Sequence, residues 1–221
     1  MSILPLAAKY WNSLEDKILS VNQDIFNVLG KYGYKYKKRF KQLQIDAKAY
    51  DIIFYVLHRG IQTGVTIIPD LVSPHRPYPV YVYFFAISLY LLSPKMSMRK
   101  AARITGLCFE IAKFSASAIC RVKKNLDSKI PELTALFVNI ANEQLCDGGG
   151  NGAETVSSEP VASQAAPFKL RLQKVFSTPF IIRFVNMLKN RMPTLSEKMQ
   201  FAEYAGRCCR KYFILYGQLL I

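Results

Sequence analysis

Two short clusters in this 221-residue chain carry side chains whose types and spacing point to a definite chemistry: Ser97-Met98-Arg99-Lys100 with Arg103, and Ser115 to Asn125 (SASAICRVKKN). Serine at positions 97 and 115 suits a helix N-cap, its oxygen taking one of the N–H groups that a first turn leaves unpaired. Arg99 and Lys100 then fall in a first turn, where the helix dipole disfavours cations by a few tenths to about 1 kcal/mol. A phosphate reverses that sign, because free N–H groups and both cations would hold it together. At 100° per residue, Ser117, Arg121 and Lys124 share one side of the following helix, flanked by Ala118 and Asn125. Arg121 can present a bidentate fork to a guanine edge and Asn125 a matching pair to adenine. Lys113 and Lys123 add cations suited to phosphate oxygens. The chemistry is recognition of a polyanion.

Positioning those side chains requires helices at set places. Val80–Leu92 (VYVYFFAISLYLL) is apolar nearly all round, which predicts a buried central helix ended by Ser93-Pro94. Its 13 residues fall short of the roughly 20 that a bilayer span needs. A second helix is expected from Met98 to Thr105, with Gly106 closing it. A third runs from Ser115 to about Asp127, with Ile119, Val122 and Leu126 as its packing stripe. The order is that of a helix-turn-helix, in which the last helix enters the major groove. The connector 107–114 exceeds the usual three or four residues and has room for an extra helical turn at Phe109 to Lys113.

The whole-chain charge agrees. There are 30 Lys plus Arg against 15 Asp plus Glu, a net +15, which favours nucleic acid or an anionic surface as partner. The excess is concentrated. Residues 31–48 hold seven cations and one acid, residues 95–129 nine and two, residues 169–211 ten and two. With 51% apolar residues the chain can bury a core. Residues 147–167 (DGGGNGAETVSSEPVASQAAP) have almost no large apolar side chains and read as a flexible linker. Trp11, Leu14, Ile18, Val21, Ile25, Val28 and Leu29 follow a near-helical period, which predicts a helix over 11–29. In residues 31–41 (KYGYKYKKRFK) cations alternate with aromatics, a pattern that suits either base stacking or a solvated basic strand. Residues 50–57 and 61–68 are β-branched and suggest a small hairpin. Beyond the linker, Thr178-Pro179 and the capping box Thr194 to Glu197 open helices, and Gly217 stops the last. Phe180, Ile181, Phe184, Val185 and Leu188 form an apolar stripe suited to docking on the first domain or to dimerisation.

Catalysis and metal binding find no constellation. The five cysteines form no CxxC pair, and two histidines supply little to complete a zinc site. Free thiols fit a reducing cytoplasm. No cofactor and no small-molecule substrate are implied.

From Thr63 to about Asn125 the chain resembles the N-terminal DNA-binding region of transposase-like proteins of bacterial mobile elements. The matching residues are Thr66-Ile67-Ile68-Pro69-Asp70-Leu71, then Pro74-His75-Arg76-Pro77-Tyr78, then Ser97-Met98-Arg99 and Ser115 to Arg121. The resemblance covers roughly 60 residues and implies a zinc ribbon leading into a helix-turn-helix. The ribbon's cysteines are missing here, since residues 55–66 contain none, so the resemblance is to a degenerate form without its metal. A two-metal nuclease domain needs spread carboxylates, and after residue 129 only seven acids remain.

The sequence thus predicts a mainly α, non-enzymatic, cytoplasmic protein in four parts. Residues 1–49 form an N-terminal helix and basic, aromatic segment. Residues 50–146 form a helix-turn-helix domain preceded by a small β-hairpin, residues 147–167 a flexible linker, and residues 168–221 an amphipathic helical unit. The expected function is sequence-specific binding of duplex DNA, stand-alone or accessory to a mobile element, with a homodimer formed through the C-terminal helices. Two alternatives compete with it: a basic helical scaffold for a protein partner or anionic membrane surface, and an RNA or single-strand binder using Tyr32, Tyr34, Tyr36 and Phe40.

Overall fold

A computed structural model of the chain describes residues 2–6, 11–15, 18–21, 31, 35–45, 48–58, 65–69, 72–73, 76–147, 168–188 and 190–221. Among them are six strands, β1 (Ser2–Leu6), β2 (Trp11–Glu15), β3 (Ile18–Val21), β4 (Lys35–Ile45), β5 (Lys48–His58) and β6 (Val65–Pro69). Seven helices follow: α1 (Val80–Leu92), α2 (Met98–Cys108), α3 (Ala116–Asp127), α4 (Ile130–Asp147), α5 (Phe168–Phe176), α6 (Pro179–Met187) and α7 (Leu195–Tyr216). The fold is mainly α, as expected. Apart from Asp147 the expected linker lies outside the described residues, as do Tyr32 and Tyr34.

The N-terminal region is a correction. Of the helix expected over 11–29, residues 22–29 lie outside the described residues, and the described residues before them form strands instead: β2 and β3 pair antiparallel with Trp11 opposite Val21, and β3 runs parallel to β5 with Leu19 opposite Ile52. An apolar residue every three or four positions fits a helix, but the unpaired edge of β5 offers these residues a hydrogen-bonded ladder, and tertiary context overrides so weak a local period. The expected hairpin is present in enlarged form. β5 pairs antiparallel with β6 (Tyr55 opposite Ile67), and β4 pairs with β5 over its full length, from Lys35 opposite His58 to Ile45 opposite Lys48. Leu43, Ile52, Leu57 and Ile67 of these strands are buried, with Ile52 and Leu57 on opposite faces of β5.

α1 is the hub. Ten of its 13 residues are buried, and Ser88 stays satisfied by donating from Oγ to the Phe84 carbonyl at 2.7 Å. Ser93 is extended (ψ 126°), as the residue before a proline prefers, and ends the helix. α2 and α3 pack on α1 and on each other. α2 does not stop at Gly106 as expected but continues to Cys108. Gly106 is there for closeness: a Cβ would sit 2.9 Å from the Ile111 carbonyl oxygen, whose own N–H donates to the Gly106 carbonyl at 2.8 Å. The connector Phe109–Ser115 contains turns rather than an extra helical turn. It is pinned by buried Phe109, Ile111 and Phe114, with Glu110 in the left-handed region at φ 51°.

The C-terminal helices do not stand apart from this core. Phe84 on α1 meets the rings of Phe137, Phe176, Phe201 and Tyr204 at centroid distances of 6.3, 5.1, 6.1 and 6.5 Å. Phe85 meets Phe184 and Phe201 at 6.0 and 5.8 Å. One apolar cluster therefore runs from Tyr78 to Ile221, and the division into a helix-turn-helix domain and a separate helical unit becomes a single packed body. The reason is arithmetic of surface. α1 is apolar on every side, and α2 and α3 cover only part of it.

The predicted punctuation of that region holds. Thr178 caps α6 with Pro179 at the first helical position, and Thr194 and Glu197 form a reciprocal capping box. Gly217 ends α7 at φ 65°. Glu197 also accepts two hydrogen bonds from Arg191, at 2.8 and 2.5 Å. That guanidinium and the Thr194 N–H hold the Glu197 carboxyl at about 2, well below the usual carboxylate range. The cap is therefore complete above the ordinary carboxylate pKa and is lost as pH falls toward about 2.

Candidate nucleic-acid interface

α3 presents the stripe that its sequence predicts. Ile119, Val122 and Leu126 are buried against α1, while Ser117, Arg121 and Lys124 are exposed at i, i+4 and i+7. Ser115 caps the helix by accepting from the Ala118 N–H at 3.3 Å and shares a 2.8 Å hydrogen bond with Ser117. Arg121 donates from Nε to the Ser117 carbonyl at 3.4 Å, which lays its exposed guanidinium along the first turns of the helix. Cys120, also exposed, sits within the same stripe.

Three expected members of the interface are placed differently. Ala118 is buried rather than flanking the exposed face. Asn125 is half-buried and donates from Nδ2 to the Leu220 carbonyl at 3.5 Å. Lys123 is half-buried and already engaged. For Asn125 the cause is the segment after Gly217, which folds back to place the Leu220 carbonyl beside it. Lys129 donates to the Leu219 carbonyl at 2.5 Å, and Ser73 donates to that of Ile221 at 3.0 Å. Burial against this segment pushes the Lys129 ammonium below its ordinary pKa. Nothing in residues 115–127 signals a partner so distant in sequence.

α2 supplies the second cluster. Ser97 accepts from the Lys100 N–H at 3.1 Å, and Arg99, Lys100 and Arg103 are all exposed. Arg99 and Arg103 line an open groove of about 650 Å³ together with Leu107 of α2, Glu110 and Phe114 of the connector and Ala116 at the start of α3. The N-terminus of α3 and the cations of α2 thus face one concavity. Lys113 is exposed, and its carbonyl accepts from the Tyr78 hydroxyl at 3.3 Å, fixing the connector to the segment that precedes α1.

Arg76 is a residue that the sequence did not single out. Its guanidinium lies 5.5 Å from the centre of the Tyr83 ring. Burial raises the Tyr83 hydroxyl to about 12, while the charges of Arg76 and Arg121 both pull it down. The only signal in the sequence was an arginine between prolines, which says nothing of where it folds.

Among the described residues, no group of three His, Cys, Asp or Glu side chains is placed to hold a metal ion. No helix among them is long and apolar enough to cross a membrane. No family model, curated protein or solved structure matches the chain.

Proposed function

We propose that this chain binds duplex DNA sequence-specifically, with α3 in the major groove and the N-terminus of α2 on the phosphate backbone. In this reading it is a non-enzymatic regulator or an accessory protein of a mobile element, as its resemblance to transposase-like DNA-binding regions suggests. The observation that carries the reading is the exposed stripe Ser117, Arg121 and Lys124 on a helix whose opposite side is buried, beside exposed Arg99, Lys100 and Arg103. Small polar and cationic side chains on the first turns are what a groove about 12 Å wide admits. Arg99 and Lys100 sit where the dipole of α2 disfavours them, and a phosphate held by the free N–H groups of that turn offsets the cost. Ser97 and Ser115 act as caps that set both first turns.

The deciding experiment is selection of binding sites from random duplex DNA, with affinity then followed against salt. A recovered consensus, together with a log–log salt slope of several units, supports the reading. Binding to anionic liposomes without retardation of any duplex would instead favour a membrane scaffold, and preference for single strands a single-strand binder.

Cys120 gives an independent check. It is exposed within the stripe, whereas Cys108, Cys208 and Cys209 are buried. Burial pushes the Cys108 thiol to about 11 and the Cys208 thiol to about 12, which keeps both as poorly reactive thiols at neutral pH. In a Cys146→Ser background, alkylation of Cys120 with a bulky maleimide should abolish duplex binding, and prior binding of the selected duplex should protect the thiol. Alkylation at an unchanged rate in the presence of saturating duplex would place α3 outside the interface.

A further inference from the structure

β4 carries a row of cations that α2 and α3 do not use. Lys35, Lys37 and Arg39 are exposed at alternate positions, so they stand on one face of the strand. The residues opposite them on β5 are His58, Val56 and Phe54, none of them acidic. Neighbouring like charges on one face of a strand repel. A polyanion laid along the row would remove that repulsion. Among the described strands β4 pairs only with β5.

The row is tied at one end to the DNA-facing unit. Lys41, next in the alternation, is half-buried and donates to the Ser73 carbonyl. Gln44 donates from its backbone N–H to the Pro77 carbonyl at 3.1 Å, and the next residue, Tyr78, holds the connector of α3 through Lys113. From this anchor the strand runs outward at about 3.3 Å per residue, which separates successive cations by about 7 Å and Arg39 from Lys35 by roughly 13 Å. Phosphates of one strand of B-DNA recur every 3.4 Å or so along the axis. Because those phosphates also wind around the axis, neighbours lie farther apart through space than their rise, and a cation spacing of about 7 Å is on the scale of successive phosphates.

We propose that β4 is a wing, and that Lys35, Lys37 and Arg39 bind the phosphate backbone of the duplex flanking the groove that α3 occupies. The proposal rests on the reading of α3 as a duplex binder. It assigns the wing a role in affinity and footprint length, with base selection left to α3.

The test uses the full chain, the selected duplex and a random duplex of equal length. Lys35→Gln, Lys37→Gln and Arg39→Gln together should reduce the magnitude of the salt slope by about 2 to 3 and weaken both duplexes on the order of a hundredfold at 0.1 M salt. The preference for the selected duplex should stay unchanged. The charge-keeping set Lys35→Arg, Lys37→Arg and Arg39→Lys should retain the wild-type slope. Hydroxyl-radical footprinting of the wild-type complex should show protection continuing past the selected site on one flank. A folded glutamine variant with an unchanged slope, or a footprint confined to the selected site, overturns the wing. Self-association of that variant with an unchanged slope would mean that the lysines only guard a sheet edge. Failure of the wild type to bind any duplex overturns the reading of α3 as well, and is a separate result.

Discussion

Phe84→Ala should cost about 3–5 kcal/mol of folding stability, the range for removing a fully buried phenylalanine. Phe84 is 0% exposed, and its ring is the point where the two halves of the chain meet. It touches Phe137 on α4, Phe176 on α5, and Phe201 and Tyr204 on α7. Its loss leaves a cavity that four separate elements would have to close together, and rings fixed by their own helices relax only in part. Against a typical total of about 5–15 kcal/mol, that loss is a fifth of the whole or more. Urea denaturation followed by far-ultraviolet circular dichroism measures it. The mutation also separates two architectures. If residues 168–221 share one core with α1 to α4, the variant loses amide protection in both segments together, in one transition at lower urea. A cost below about 1 kcal/mol, or a C-terminal segment that melts alone while α1 to α4 stay protected, would show that the halves are independent.

What the sequence made legible is what neighbouring residues decide among themselves. Caps are the clearest case. Ser97, Ser115, Thr178 and Thr194 each bond an N–H three residues ahead, and a serine or threonine before an apolar period is enough to foresee that. The packing stripe of α3 was legible for the same reason, because a 100° turn per residue sorts Ile119, Val122 and Leu126 from Ser117, Arg121 and Lys124. What stayed hidden depends on segments far along the chain. Gly106 looks like a stop, but its missing side chain serves the approach of the Ile111 carbonyl. Asn125 looks like a base reader, and Leu220, 95 positions away, claims it. Trp11 to Val21 looks helical until β5 supplies a partner. The apolar stripe on α6 that suggested dimerisation is occupied within the chain, since Ile181 and Val185 are buried and Phe180 stacks on Tyr204 at 4.4 Å. For a homodimer through these helices, the exposed apolar side chains are Ile182 on α6 and Leu195, Met199, Ile214 and Leu215 on α7.

Arg121→Ala should cost about 1–3 kcal/mol of binding to the selected duplex and far less to a random one, so that selectivity narrows at one base-pair position. Arg121 is exposed in the middle of the α3 stripe and bonds to the backbone of its own helix, at Ser117. Truncating it therefore removes a reader without opening the core, and stability should change by less than about 0.5 kcal/mol. Lys100→Ala provides the contrast. Its side chain lies at the N-terminus of α2, the end proposed to face phosphate, so its loss should weaken all duplexes alike and lower the salt slope by about 1. Arg121→Lys separates charge from geometry: it keeps the cation but loses the planar fork, and should restore the salt slope without restoring selectivity. Titrations of the selected duplex and single-position variants, at two salt concentrations, distinguish these outcomes. If Arg121→Ala weakens every sequence equally, α3 contacts backbone alone and the recognition role must lie elsewhere. If both variants bind like wild type, neither α2 nor α3 faces the duplex.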